Sequence, residues 1–284
     1  MSHRWDPQRY LTYADERGRP FTDLVTRIDA GAPAEVVDLG CGPGNLTRLL
    51  VDRWPAAHVV GLDASPEMIA RARADVAGID FVVGDLRAWF ATADPVDVLV
   101  SNATLQWVPD HLELLPALLG AVKPGGWLAL QVPGNFDEPS HTIRDELAAE
   151  APYASHTAGV ATPSAHDAAT YLGVLAGLGC AVDAWETTYL HVLEGEDPVF
   201  TWVSGTGARP TLQALEAADP ALRRQFEAEF KRRLRAAYPQ RGYGVVLPFR
   251  RVFVVAQKVA QKVGQKVGQK VGQKVGQKVG QKDA

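Results

Sequence analysis

Cysteine is scarce in this sequence of 284 residues, where Cys41 and Cys180 are the only two. Two cysteines so far apart form neither a disulfide framework nor a zinc-binding set, and this fits a reducing compartment. No apolar run approaches the roughly 18 residues that a membrane-spanning helix needs, and the first residues lack the hydrophobic centre of a secretion signal. These absences predict a cytoplasmic protein that does not bind membranes.

Lysine is nearly absent outside one segment. Seven of the nine lysines and one aspartate lie in the repeat that starts at Gln257, QKVAQKVGQKVGQKVGQKVGQKVGQKDA. The formal net charge of the whole chain is −4, and the repeat contributes +6 of it, so residues 1–256 carry −10. Nucleic-acid-binding domains carry a basic stripe, so this acidic body predicts no nucleic-acid partner. No obligate protein partner is indicated either.

The repeat, residues 257–284, is expected to be a low-complexity tail. A four-residue period drifts by about 40° per repeat around a helix, so its valines form no stable apolar face. Each glycine costs about 1 kcal/mol of helix stability relative to alanine. We expect a solvated extension, disordered or weakly helical. The alternative is a weak anion-binding arm, because lysine runs attract anionic membranes and nucleic acids.

Residues 1–256 are expected to form one α/β domain. Five short apolar runs alternate with helix patterns at 35–39, 58–63, 79–85, 97–102 and 127–132, and two later runs at 180–193 and 245–257 add two strands. Strands that are apolar on both faces and separated by helices form parallel sheets covered on both sides. The pattern therefore predicts a doubly wound, seven-stranded sheet, with a cofactor half at about 30–135.

Helices are predicted at 18–30, at 45–54, from Ser65, up to Gly120, and at 164–178. In the second of these, Leu46, Leu49 and Leu50 are expected to share one face. Residues 197–240 are also helical in pattern but too few for an independent domain. We interpret them as a helical cap over the carboxyl edge of the sheet, where loops and insertions bind substrates.

The most informative motif is V-V-D-L-G-C-G-P-G-N, residues 36–45, at the first strand-to-helix turn. Its glycines at 40, 42 and 44 allow a ligand to approach the backbone, and a helix beginning near Asn45 would offer its positive end. A dinucleotide-binding loop needs glycine at 45, where asparagine stands. With Asp38 before the glycines, the motif resembles the S-adenosylmethionine loop of Rossmann-like methyltransferases. The alternative is a tight turn in which Asp38 caps the helix.

Polar residues also end the next three strands: Asp63, Asp85 and Asn102. In nucleotide-binding folds a carboxylate at the end of the second strand, where Asp63 stands here, contacts the ribose hydroxyls. The resemblance implies that Asp38 holds the amino end of the cofactor, that the glycines accommodate its methionine and ribose, that Asp85 and Leu86 contact adenine, and that Asn102 lies near the reacting methyl group. A single aspartate after a strand is more often a cap, but four polar strand ends in register favour a cofactor site.

A wider resemblance covers about residues 5–256. The segments WDPQRYLTYADERGRP, SNATLQWVPDHLELLPAL, TTYLH, WVSGTGARP and LPFRRVFVVA together resemble the trans-aconitate 2-methyltransferase family. The resemblance implies transfer of the methyl group of S-adenosyl-L-methionine to a carboxylate of trans-aconitate, which gives a monomethyl ester and S-adenosylhomocysteine. The acceptor carboxylate, with a pKa near 4, is already ionised at pH 7, so we expect alignment rather than a catalytic base. No metal site is expected, because no two of the seven histidines lie within four residues of each other.

Arginine pairs with carboxylates better than lysine does, so arginines are the predicted acceptor-binding residues. Arg209 and Arg251 stand in small-residue or apolar settings in the cap and the last strand, and Arg17 and Arg19 lie near the amino terminus. The side chains expected to line the pocket and exclude water are Tyr10, Trp107, Tyr189, His191 and Trp202. Surface solubility for each arginine, and core packing for each aromatic residue, are the competing interpretations.

Three other functions stay open at this point. One is another carboxylate methyltransferase of the same fold, and another is a module that binds the cofactor without catalysis. The third, a nucleic-acid methyltransferase, is disfavoured by the acidic body. It is also disfavoured because SNATLQW stands after the fourth strand in place of an Asn/Asp-Pro-Pro-aromatic motif.

Overall fold

The computed structural model describes residues 14–260, with side chains from residue 18 onward. The strands in this part of the chain are β1 (Glu35–Leu39), β2 (His58–Asp63), β3 (Asp80–Val83), β4 (Val96–Asn102), β5 (Val122–Pro133), β6 (Cys180–Leu193), β7 (Gln240–Arg241) and β8 (Gly244–Lys258). The α-helices are α1 (Ala14–Thr26), α2 (Arg48–Arg53), α3 (Pro66–Asp75), α4 (Leu86–Thr92), α5 (His111–Gly120), α6 (Pro139–Ala148), α7 (Ala154–Thr157), α8 (Ala168–Gly177), α9 (Pro198–Ser204), α10 (Arg209–Ala218) and α11 (Pro220–Ala237).

The strands form one mixed sheet in the order β3-β2-β1-β4-β5-β8-β6. The first five are parallel, and β8 runs antiparallel between β5 and β6. This confirms the predicted doubly wound, seven-stranded fold. The two-residue β7, which pairs with the start of β8, is an addition that the sequence does not signal.

Alternate residues of the central strands supply two apolar layers, one on each face. On one face the core includes Val98, Val100 and Ala129 together with Phe21 and Leu24 of α1. On the other face, the neighbouring strand positions pack against α5 and α8. Side chains of a strand point to opposite faces in turn, so a strand covered by helices on both sides must be apolar throughout.

Several helix boundaries differ from the expected ones. Helix α1 begins at Ala14 and ends at Thr26, four residues earlier at each end than predicted. Helix α2 begins at Arg48, because turns occupy the residues before it, and the prediction of a helix starting near Asn45 was wrong. Leu50 is buried, whereas Leu49 is exposed, so these leucines do not share one buried face.

The helix predicted from Ser65 is confirmed. Its Ser65 Oγ accepts a hydrogen bond of 3.2 Å from Met68 N, and Pro66 occupies the first helical position. Serine and proline favour these two positions because the first helical amides have no partner within the helix.

Helices α9, α10 and α11 occupy the region predicted as a cap, and they share an apolar core that includes Trp202, Phe226 and Phe230. Leu147 of α6 and Tyr153, just before α7, belong to the same core. Those two helices are not predicted from the sequence, so the segment after β5 completes the cap.

The sheet continues beyond Ala256. Strand β8 ends at Lys258, whose Nζ donates hydrogen bonds to Leu119 O and Val122 O at 2.9 and 2.7 Å. The first lysine of the repeat is therefore part of the sheet and hydrogen-bonds to the residues before β5 and at its start. The rest of the repeat, from residue 261, lies outside the described residues.

Candidate cofactor and acceptor site

The glycine-rich turn after β1 is tight at two positions and open at the third. Gly40 and Gly44 both have φ of +78°, and a Cβ there would lie 2.0 Å from Thr104 Oγ1 and 2.6 Å from the ring of Phe81, respectively. A Cβ at Gly42, whose φ is +57°, would meet nothing within 4 Å. Only glycine adopts these conformations at low cost. The turn thus leaves backbone accessible at Gly42, which fits close approach by a cofactor.

Asp38 is buried at the end of β1 and accepts a hydrogen bond of 2.7 Å from Thr47 Oγ1. Its carboxylate bonds to this hydroxyl and to none of the described backbone amides of α2, so the alternative interpretation as a helix cap was wrong. Burial raises the pKa of Asp38 to about 7. A cationic group beside it would favour the ionised form, which fits an ammonium ligand.

Asp63 connects the end of β2 to the glycine-rich turn. Its Oδ2 accepts from Gly42 N at 2.9 Å and its Oδ1 from Ser65 N at 2.8 Å. Burial raises the pKa of this carboxyl above its usual value. Asp63 therefore holds in place the one glycine of the turn that is open to a ligand.

The residues after β3 are less enclosed. Asp85 is exposed and caps α4, since its Oδ1 accepts a hydrogen bond of 2.8 Å from Arg87 N. Leu86 is half-buried and packs at the margin of a core cluster. Capping and cofactor contact are compatible for Asp85, because one carboxylate oxygen is used in the cap.

Asn102 ends β4 and lines a pocket between the sheet edge and the cap. Its Oδ1 is buried and has no hydrogen-bond partner among the described residues. The pocket also contains three predicted acceptor-site residues: Trp107, Trp202 and Arg251. The structure thus brings residues from β4, the turn after it, α9 and β8 together at one site.

A strip of cationic and aromatic side chains extends from α1 to this pocket. The Arg19 guanidinium carbon lies 4.9 Å from the ring centre of Tyr189, and His191 stacks on Trp202 with 4.7 Å between ring centres. Tyr189 and His191 are themselves 6.2 Å apart and stacked. The Tyr189 hydroxyl donates to Asp23 Oδ2 at 2.5 Å, and burial together with this carboxylate raises the pKa of the tyrosine.

Two arginines predicted together lie in different settings. Arg251 is buried, lines the pocket, and has its guanidinium carbon 4.2 Å from the ring centre of Phe249. Arg209 is half-buried at the start of α10; its neighbours Thr206 and Gly207 line the pocket, but Arg209 does not. Tyr10 lies outside the described residues, as does the side chain of Arg17 within α1.

The sequence reasoning missed one wall of the pocket, which α6 supplies. His141 is buried there, and its Nδ1 lies 3.1 Å from Ser140 Oγ. Burial, with the positive charge of Arg144, lowers the pKa of His141 to about 3, so the imidazole is neutral. Arg144 donates to Gly207 O at 2.8 Å and pairs with Asp145. In the sequence, the only signal for this wall is that His141 and Arg144 are three residues apart, which places them on one face if the segment is a helix. The sequence analysis did not predict that helix.

The described residues lack two kinds of feature. They contain no group of three or more histidine, cysteine, aspartate or glutamate residues arranged to hold a metal ion. In the same part of the chain, no helix combines the length and the apolar composition needed to cross a membrane.

The methyltransferase domain family matches residues 36–126, which include the glycine-rich turn and Asn102. The trans-aconitate 2-methyltransferase of Streptomyces avermitilis is 53% identical over 264 residues, covering 89% of this chain and 97% of the relative. The enzyme of the same name from Rhodococcus jostii is 50% identical, covering 89% and 99%.

The chain belongs to the trans-aconitate 2-methyltransferase family. As a member of this family it is an S-adenosylmethionine-dependent methyltransferase, which confirms the enzyme class and the cofactor expected from the sequence. Nothing in these comparisons favours a cofactor-binding module without catalysis.

Two solved structures agree with the fold of this family member. A putative methyltransferase from Bacillus halodurans aligns with a TM-score of 0.53 at 15% identity, covering 85% of this chain and 99% of that one. Phosphoethanolamine N-methyltransferase 2 from Haemonchus contortus aligns with a TM-score of 0.51 at 14% identity, covering 85% and 52%. At these identities the likeness concerns the Rossmann-like fold alone.

Proposed function

We propose that this chain transfers the methyl group of S-adenosyl-L-methionine to a carboxylate of trans-aconitate, giving the monomethyl ester and S-adenosylhomocysteine. The observation that carries the proposal is the pocket in which Asn102, at the end of β4, and the buried Arg251 lie together beneath the cap. A buried arginine in the pocket wall suits a carboxylate, because the charge of the anion is compensated where water is excluded. The names of the relatives support trans-aconitate as the molecule that carries the carboxylate.

The cofactor side consists of residues at the ends of β1, β2, β3 and β4: Asp38, Gly40, Gly42, Gly44, Asp63, Asp85, Leu86 and Asn102. The bound cofactor supplies a methyl group on a positively charged sulfur. Asp38 binds the amino group of its methionine part, since a buried carboxylate attracts a cation. Asp63 positions the Gly42 backbone and binds the ribose hydroxyls, while Asp85 and Leu86 contact the adenine.

On the acceptor side, Arg251 pairs with a carboxylate that does not react. Trp107 and Trp202 exclude water from the pocket, and Arg19, Tyr189 and His191 form its extension towards α1. Arg209 contributes positive charge from beside the pocket. Because the reacting carboxylate is ionised at neutral pH, the residues align its oxygen and remove no proton. A dry pocket also favours a reaction in which opposite charges are neutralised.

We further propose that residues 1–256, extended by Gln257 and Lys258 of β8, act as one methyltransferase domain, with the cofactor half at about 30–135 and the cap at 197–240. The rest of the repeat is proposed to be an accessory tail. The protein is proposed to act in the cytoplasm on a small carboxylate, without a nucleic-acid, membrane or obligate protein partner.

The test is an acceptor panel with methyl-labelled cofactor: trans-aconitate, cis-aconitate, citrate, isocitrate, fatty acids and bulk nucleic acid. We expect the highest kcat/KM with trans-aconitate and a product whose label is released as methanol by base, as from an ester. Preference for a fatty acid or another small acid would assign a different acceptor. Calorimetric binding of the cofactor without turnover on any acceptor would contradict the assignment as an enzyme acting on these acids.

A further inference from the structure

Four carboxamide side chains lie at the carboxyl edge of the sheet beside the pocket: Asn102, Gln106, Gln131 and Asn135. All four contain at least one buried polar atom without a hydrogen-bond partner among the described residues. In Gln131 and Asn135 this is true of both the oxygen and the nitrogen. These two side chains are each 1% exposed. Buried polar groups are nearly always paired, so a group of unpaired ones at one site needs a physical explanation.

The sheet register places Gln131 beside the pocket. Asn102 and Gln131 are paired across β4 and β5, two residues beyond Val100 and Ala129. The latter two belong to the core on the α1 side, so Asn102 and Gln131 point to that same face. Two residues further along β5, Pro133 is paired with Arg251, and both of these line the pocket. Gln131 therefore lies beside Asn102 and one strand repeat before Pro133, both of which line the pocket.

Asn135 and Gln106 flank the same place. Asn135 follows β5 between Pro133 and Phe136, which both line the pocket. Gln106 lines it directly, and although its Nε2 donates to Ala103 O at 2.7 Å, its Oε1 has no partner among the described residues. Asn102 and Gln106 thus line the cavity, while Gln131 and Asn135 lie next to residues that line it.

We propose that these carboxamides form an uncharged hydrogen-bonding subsite for a carboxylate of the acceptor, separate from the arginine that binds another of its carboxylates. This inference rests on the proposed function. Each amide nitrogen carries two N–H donors. Gln106 uses one of them on Ala103 O and keeps the other, so all four side chains can offer an N–H to an anion. Neutral donors orient a carboxylate oxygen without adding a second positive charge next to a cationic cofactor.

The experiment compares Gln131→Met and Asn135→Leu with the wild type in two measurements. Each replacement fills a similar volume but removes the buried amide. In the absence of acceptor we expect Tm to rise by about 2–4 °C, because an unpaired polar group is no longer buried. The KM for trans-aconitate should rise at least about tenfold, because hydrogen bonds to a charged group are lost. The Kd of S-adenosylhomocysteine should stay unchanged.

Gln257→Met is the matched control. The Gln257 amide donates to Gly125 O at 3.1 Å, at the opposite end of the sheet. Its removal should leave the KM unchanged and should not raise Tm. Replacement of a glutamine that only stabilises the fold would lower Tm. A rise in Tm together with a rise in KM therefore indicates that the amide binds the ligand.

Other outcomes overturn the subsite. If the wild type methylates trans-aconitate but both variants keep the wild-type KM, the subsite is wrong and the proposed function stands. If the variants weaken S-adenosylhomocysteine binding, the amides belong to the cofactor side. If the wild type methylates no carboxylate of the panel, the proposed function fails and the subsite with it.

Discussion

The cofactor side and the acceptor pocket satisfy their polar groups differently. On the cofactor side, the Asp63 carboxylate accepts hydrogen bonds from the backbone amides of Gly42 and Ser65. The Asp85 carboxylate accepts one from an amide two residues further along the chain. Beside the acceptor pocket, the amide atoms of Gln131 and Asn135 have no hydrogen-bond partner among the described residues. The cofactor side is therefore preorganised by local chain geometry, whereas the pocket is completed by its ligand.

The two regions also differ in the sign of their charged residues. Asp38 and Asp63 are carboxylates that suit a cofactor with an ammonium and a sulfonium group. The pocket contains Arg251 and the neutral His141, which suit an anion. A substitution on one side is therefore expected to alter the binding of one ligand only.

The largest expected effect comes from Arg251→Ala. Loss of a buried guanidinium from the pocket should lower kcat/KM for trans-aconitate, which corresponds to a loss of about 2–5 kcal/mol of transition-state stabilisation. The cofactor Kd should stay unchanged. Arg251→Lys should recover only part of the activity, because the charge remains but the two-pronged geometry is lost. Arg209→Ala should cost less, since Arg209 lies beside the pocket. Equal losses in both alanine variants would contradict the different placement of the two arginines.

On the cofactor side, Asp63→Ala should weaken S-adenosylmethionine binding by about 1–3 kcal/mol, because two backbone amides and the ribose hydroxyls lose their acceptor. Calorimetry gives this value directly. At saturating cofactor the KM for trans-aconitate should stay the same, and NAD should not compete. Wild-type cofactor affinity in this variant would refute the assignment of Asp63.

Cofactor affinity should depend on pH through Asp38, whose pKa burial raises to about 7. Below that pH the free protein holds a proton there, and binding of an ammonium group requires its release. Affinity should therefore fall by up to about tenfold for each pH unit below 7 and level off above it. In Asp38→Asn the pH profile from 5 to 8 should be flat. An equal slope in both proteins would place the titrating group elsewhere.

Stability towards acid should depend on His141, a residue of the acceptor pocket. Its pKa is lowered to about 3, below the unfolded value of 6.5, so the unfolded chain binds a proton that the native protein does not. This contribution is fully present above pH 6.5 and is lost as the pH falls, at about 1.4 kcal/mol per pH unit. Urea unfolding at pH 7 and 5.5 measures the loss, which His141→Phe should reduce. The exposed His156, replaced by alanine, is the control.

The smallest effect is expected for the tail, which belongs to neither region. Deletion of 259–284 should leave Tm and turnover unchanged, whereas deletion of 258–284 should lower Tm because Lys258 bonds to two carbonyl groups of the sheet. Differential scanning calorimetry and the methyl-transfer assay compare the two. Loss of activity in the shorter deletion at physiological salt would show that the repeat takes part in function.

The elements that the sequence predicts well are those that local chemistry decides. The run HVVGLD corresponds to β2 residue for residue, and Ser65 caps α3 as expected. The start of α2 could not be predicted, because three glycines with positive φ lengthen the turn before it. Burial of Leu50 but not of Leu49 depends on which side of the short helix meets the sheet.

The sequence by itself determined the doubly wound sheet and the residues at the ends of its parallel strands, because strand period, helix caps and glycine turns act over a few residues. Only the tertiary structure decided which side chains share the acceptor pocket. It placed Arg251 in the wall and Arg209 beside it, and it added His141 from an unpredicted helix. It also left Gln131 buried with no hydrogen-bond partner among the described residues. Burial, pKa and pairing arise from contacts between segments far apart in the chain, and no local pattern encodes them.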